Sequence, residues 1–271
     1  MPVFSFAELI GYAAAIVAGL VIGLAGGGGS ILTVPIFVYL FQIEPVLATT
    51  YSLFVVGTTS FVGSVGYGLK KRIDFKVTAA FAVPSFISVY LTRRWLVPAI
   101  PDPFLRLGTY ELSKSTAILY FFAFVMIMAA QAMIRHRQPR RADRVFKRPR
   151  LGLLALDGLA VGMLTGTIGA GGGFLIVPML VLLAGLPMRM AVGTSVLIIA
   201  VNSFVGFMGD LHRPDLDWPF LVRFTFFSIV GIFVGMYLSR LVPAVQLKKG
   251  FGWFVLVVAF YIIGSELVKL Y

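Results

Sequence analysis

The sequence predicts an all-α polytopic membrane protein with two repeats of about five segments each, eight full spans plus two short half-helices, and glycine-broken helices at its centre. Three observations predict it. Hydrophobic side chains make up 59% of the 271 residues, where about half is usual in a soluble domain. Several stretches reach the roughly 20 apolar residues that a spanning helix needs. A glycine cluster also occurs twice at an offset of 143 residues: Gly26 to Gly29 with Ser30 and Pro35, then Gly169 and Gly171 to Gly173 with Pro178. Glycine has the most backbone freedom to lose, so such runs break a helix. In lipid a broken backbone has to face protein or a water-filled cavity. Two breaks at matching positions of two halves point to a solute path.

The elements follow in order. Gly11, Ala15, Gly19 and Gly23 give the first helix, about 8–25, a small-residue ridge for close helix approach. After the first break, Ile31 to Phe41 is too short to span alone. Val46 to Leu69 is a spanning helix rich in hydroxyls, and Lys70, Lys71, Arg72 and Lys76 make a basic loop after it. A helix over about 75–92 ends at Arg93 and Arg94. Residues 95–114, with Pro98, Pro101 and Pro103, read as an extramembrane loop before helix 115–134. The second half repeats the plan: Gly158, Gly162 and Gly166 line its first helix, a short piece Phe174 to Gly185 follows the break, and helices run over 188–209, 218–239 and 250–268. At the same offset Leu32-Val34-Pro35 matches Leu175-Val177-Pro178, Ser52 matches Ser195, and Ser60 to Gly63 is identical to Ser203 to Gly206.

This divides the chain into a first membrane repeat (1–134), a basic linker (135–150) with eight Arg or Lys against Asp143 alone, and a second membrane repeat (151–271). Placing the loop 70–76 and the linker in the cytoplasm puts loop 240–249 inside, loop 209–217 and both termini outside, and makes the repeats inverted. Arg93, Arg94 and Arg106 then fall on the outer side, against the charge rule. The N-terminal residues lack a basic leader and enter the repeat directly, so the first helix is expected to be retained.

The composition also excludes classes of function. With no cysteine there is no disulfide, thiolate site or cysteine nucleophile. The two histidines, His136 and His212, stand apart in loops, and neither a metal nor a cofactor is expected. No catalytic triad, phosphate-binding loop or carboxylate pair is visible, so an enzyme is not expected. The formal charge of +12 sits mostly in loops, which speaks for a membrane topology signal and not for nucleic acid. The partners expected are a small anion, membrane lipids and at most a second copy in a homodimer.

The candidate site gathers at the breaks. The short helices after them present N-terminal amides of Gly28, Gly29, Ser30, Gly171, Gly172 and Gly173, which suit an anion. Thr50, Ser52 and Thr59 on one hydroxyl-rich helix, and Thr194, Ser195, Asn202 and Ser203 on the other, would add side-chain donors. Asp157 is the carboxylate placed early in a span, and so the candidate proton carrier. Glu8, Glu44 and Glu266 lie near segment ends and are read as solvated.

Residues 166–178 (Gly-Thr-Ile-Gly-Ala-Gly-Gly-Gly-Phe-Leu-Ile-Val-Pro), Ala-Val-Gly-Thr-Ser at 191–195 and Asn-Ser at 202–203 resemble the signature of the TauE/SafE sulfite exporter family. Residues 26–35 carry a looser copy, which departs at Ser30 for Gly173 and at Thr50 for Gly193. The resemblance covers essentially the whole chain. It implies a bacterial inner-membrane, multi-pass permease for sulfite or an organosulfonate. The two glycine-broken halves suggest alternating access, with coupling to protons or to the membrane potential expected. A passive anion channel and a non-transporting assembly protein are the alternatives.

Overall fold

The computed structural model describes residues 6–25, 30–107, 110–135, 151–169, 172–182, 184–211, 215–239 and 244–270. Gly28, Gly29, Gly171, His136, His212 and most of the basic linker lie outside them. The described chain is almost wholly helical, as the apolar patterning demands. Its first half holds α1 (Phe6–Ala25), α2 (Ser30–Pro35) running into a π-helical turn (Ile36–Leu40), α3 (Pro45–Leu69), α4 (Phe75–Leu91), α5 (Val97–Ala99) and α6 (Lys114–Arg135). A short antiparallel hairpin, β1 (Leu105–Leu107) with β2 (Tyr110–Leu112), precedes α6. The second half holds α7 (Leu151–Ile168), α8 (Gly173–Leu182), α9 (Met188–Asp210), α10 (Trp218–Leu238) and α11 (Ala244–Leu270). Among the described residues, four stretches are long and apolar enough to cross a membrane: Pro45–Leu69, Phe75–Ala99, Arg189–Asp210 and Trp218–Leu238.

Helix starts follow ordinary capping chemistry. The Asp74 carboxylate accepts from the amides of Lys76 and Val77 at the start of α4, and Asp217 accepts from Phe220 at the start of α10. One end departs from the sequence expectation. The helix that starts at Phe75 does not stop at Arg93 and Arg94. It widens into a π-helical turn, Thr92–Leu96, and continues through α5 to Ala99. The wider turn carries Arg93 inward to 1% exposure, and π-turns inside helices are often found at functional sites.

Packing is strongest between the two halves: α1 lies on α10, α4 on α7, α3 on α9 and α6 on α11. The small-residue ridges explain the first two. A Cβ at Gly19 would lie 1.9 Å from the Ser228 carbonyl oxygen, and one at Gly162 would lie 2.3 Å from that of Ser85. Only a bare backbone fits there. α1 and α10 run parallel, since Gly19 meets Ser228 and Gly23 meets Ile232; α4 and α7 likewise, since Gly158 meets Phe81 and Gly162 meets Ser85. α3 and α9 cross antiparallel instead, with Gly57 against Ser203 and Gly63 against Val196. Large apolar side chains such as Phe124, Phe226, Phe233, Trp253 and Phe260 face outward, while Ser, Thr and Asn are buried. This is the distribution a lipid solvent selects.

Candidate functional site

The site is built where α3 crosses α9, each flanked by its short helix. α2 leans on α3, α8 leans on α9, and α2 touches α8. The second break needs glycine for its backbone: φ is +71° at Gly169 and +70° at Gly172, a region that a side chain strongly disfavours. A Cβ at Gly172 would also lie 2.0 Å from Thr165 Cγ2. Gly173 opens α8 and is buried, and Ser30 opens α2.

The hydroxyl-rich helices spend their polar groups on one another and on neighbours. Thr33 and Ser52 share a buried hydrogen bond between α2 and α3. The Thr59 hydroxyl donates to Ser228 Oγ on α10 at 3.1 Å, and the Asn202 amide donates to Ser85 Oγ on α4 at 2.7 Å. These two contacts are counterparts: Thr59 and Asn202 are related by the 143-residue offset, and so are Ser85 and Ser228. Ser60 Oγ, Ser203 Oγ, Asn202 Oδ1 and Thr225 Oγ1 are buried with no hydrogen-bond partner among the described residues. The crossing therefore carries polar atoms that remain available to a polar guest.

Other predicted site residues are engaged locally. Thr194 Oγ1 accepts the Asp74 amide at 3.0 Å and so ties α9 to the basic loop before α4. Ser195 donates to the Val192 carbonyl of its own helix. Asp157, half-buried on α7, has one carboxylate oxygen buried without a partner among the described residues.

The strongest electrostatic feature escaped the sequence reading. Arg93 Nη1 donates to Asp210 Oδ2 at 2.9 Å and to Thr49 Oγ1 at 3.0 Å, and Thr50 donates to the same Oδ2 at 2.7 Å. Arg93 is 1% exposed and Asp210 7%. The second glycine break touches this node, because a Cβ at Gly169 would lie 2.4 Å from Arg93 Nη2 and 2.3 Å from Thr49 Cβ. The predicted site residue Thr50 therefore belongs to an ion-pair node between α3, α9 and the π-turn. Glu266 is a second surprise. It is buried and accepts from the Tyr39 hydroxyl at 3.4 Å, where a solvated carboxylate was expected.

The offset also assigns counterparts to the ion-pair residues. Met236 stands for Arg93, Tyr67 for Asp210, Val192 for Thr49 and Gly193 for Thr50. Tyr67, Met236 and Val192 pack with Val177 and Val196 into one apolar cluster, and the Tyr67 hydroxyl donates to the Gly23 carbonyl at 2.8 Å. Local packing is kept, with Gly209 against Arg93 Cβ at one end and Gly66 against Met236 Sδ at the other.

Comparison with known proteins agrees with the signature in the glycine breaks. The family described as Sulfite exporter TauE/SafE matches residues 11–262. A probable membrane transporter protein of Xylella fastidiosa (strain Temecula1) is 29% identical over 255 residues, covering 90% of both chains. The probable membrane transporter protein YdhB of Bacillus subtilis is 26% identical, covering 85% of this chain and 90% of its own. A probable membrane transporter protein of Methanocaldococcus jannaschii is 31% identical over 122 residues, 43% of this chain. No solved structure matches.

Proposed function

Because the chain belongs to the sulfite exporter TauE/SafE family, we propose that it is a secondary transporter that moves a small sulfur-containing anion across the bacterial inner membrane by alternating access. Sulfite or an organosulfonate is the substrate of this reading. The observation that carries it is the matched pair of buried contacts between the halves, Thr59 with Ser228 and Asn202 with Ser85, beside the hydroxyls of Ser60 and Ser203, which have no partner among the described residues. Polar groups buried inside apolar helices are costly unless something polar is meant to meet them. Their repetition at one offset places them in the common architecture of both halves.

The antiparallel crossing of α3 and α9 supports inverted repeats. Equivalent helices of two repeats with the same orientation would run parallel, as α1 with α10 and α4 with α7 do without being equivalent. The linker 135–150 and loops 70–76 and 240–249 then lie in the cytoplasm. Burial of Arg93 in an ion pair removes one of the cations that stood against this topology.

In this reading the substrate sits between the breaks. Amides at Gly172, Gly173 and Ser30 would face it, and the expected cradle is completed by Gly28, Gly29 and Gly171, which lie outside the described residues. Asn202 and Ser203 line the crossing, and Ser52 on α3 and Thr194 and Ser195 on α9 stand about two turns from its centre. Asp157 is the proton carrier of a coupled cycle, having a buried carboxylate oxygen to protonate.

Flux in liposomes containing purified protein tests the proposal, with sulfite and isethionate as probes and with or without an imposed pH gradient. Saturable movement that a gradient accelerates, and that Asn202→Ala weakens in folded protein, is the expected outcome. Non-saturable, much faster movement would identify a passive channel. No movement of either anion from monodisperse protein would remove the substrate class.

A further inference from the structure

The two ends of the α3–α9 crossing share a helix framework but not its chemistry. At one end the framework holds Arg93 and Asp210, at the other Met236 and Tyr67, at positions related by the same offset. The framework therefore accepts apolar and phenolic side chains at these positions. A buried ion pair is seldom the more stabilising choice where well-packed apolar groups also fit, because both charges lose hydration. Charges inside membrane helices mark function. The pair is thus present for something beyond the static stability of α4, α3 and α9.

Its surroundings say what. The guanidinium touches the backbone of the second glycine break at Gly169. It is held in place by a carboxylate, itself an oxyanion, and by the Thr49 hydroxyl. A planar cation with a fork of donors matches oxyanions by geometry as well as by charge. Asp210 is the last residue of α9, and the next residue, Leu211, is exposed. A displaced carboxylate would reach water one residue away.

We infer that Arg93 is the counter-charge for the transported anion at one end of the path, and that Asp210 is an internal anion occupying its place between transport events. The arriving oxyanion takes Nη1 from Asp210. The carboxylate swings toward the exposed end of α9, and the bond from Thr50 goes with it. The link between α3, α9 and the π-turn of α4 is released, and that end opens. The opposite end, closed by Met236, Tyr67 and Val192, opens without any change in ion pairing. Recognition is therefore one-sided: the oxyanion class is selected at the arginine end. This rests on the transport reading above and assigns its charge selectivity to one residue.

The test is initial-rate flux of sulfite, with isethionate in parallel, in liposomes bearing the full chain and its variants. Asp210→Asn removes the internal competitor, so the KM for sulfite should fall by about tenfold while the maximal rate drops, since the gate no longer closes on an ion pair. Arg93→Lys keeps the charge without the fork and should raise KM. The double variant Arg93→Met with Asp210→Tyr copies the opposite end. It should stay folded and monodisperse, yet lose saturable flux. If Asp210→Asn proves unfolded, the double variant decides alone. A wild-type KM in folded Asp210→Asn, or wild-type flux in the double variant, would overturn the inference while leaving the transport reading intact. Absence of flux from the wild-type protein would overturn the transport reading itself, and this inference with it.

Discussion

The end of the crossing that holds Arg93 and Asp210 and the end that holds Met236 and Tyr67 are built on one plan and filled differently. Gly209 supports Arg93 as Gly66 supports Met236, and the helices meet in the same register. At the first end the interior is a cation, a carboxylate and two threonines; at the second it is an apolar cluster with one phenol bonded to a carbonyl. The difference teaches that framework and chemistry are separable here. Backbone-to-backbone contacts through glycine set how the helices cross. The side chains at the ends are then free to diverge between the halves.

The largest effects should come from breaking what the ends share. Gly19→Leu and Gly162→Leu each push a side chain into a carbonyl, that of Ser228 or Ser85, with the partner backbone too close to yield. Both variants should lose monodisperse protein on size exclusion, and to the same degree, because the two contacts are equivalent. A well-folded Gly162→Leu would show that the ridges do not set the framework.

The next effect should separate the ends. Arg93→Met alone leaves Asp210 buried without its cation, and should cost about 3–5 kcal/mol in detergent unfolding. Met236→Leu, a volume-conserving change in the apolar counterpart, should cost less than about 1.5 kcal/mol. Adding Asp210→Tyr to Arg93→Met should recover most of the loss. Equal costs at the two ends would mean that the ion pair carries no more strain or specificity than ordinary packing.

Smaller effects belong to the crossing itself. Asn202→Ala and Thr59→Val each remove one buried bond between the halves, and interhelical bonds of this kind average about 0.6 kcal/mol and reach about 1.7. Thermal midpoints should shift slightly and similarly for both. The smallest shift should follow Ser195→Ala, within about 0.5 kcal/mol, because the hydroxyl donates within its own helix. Ser52→Ala at the matching position, which loses the bond to Thr33, should cost more.

Much of this architecture was legible in the residues. Composition marked a membrane protein, and the small-residue ridges predicted close helix contacts that Gly19, Gly23, Gly158 and Gly162 do make. The offset paired Thr59 with Asn202. The same offset relates Ser85 to Ser228 in α4 and α10, where Phe81 and Phe224 also match.

What the sequence by itself determined is the set of properties written in local order: apolar length, repeat offset, and the glycines without which the second break cannot adopt positive φ. What only the tertiary structure decided is where the charges end. Arg93, beside Arg94 and Trp95, has the local pattern of a helix end at an interface, yet a π-turn buries it against an aspartate 117 residues away. Glu266, near the C-terminus, is buried with Tyr39 from the first half. A charge enters an apolar interior only where a partner and hydrogen bonds offset its lost hydration. That partner is supplied by the crossing of distant helices, which no local spacing records.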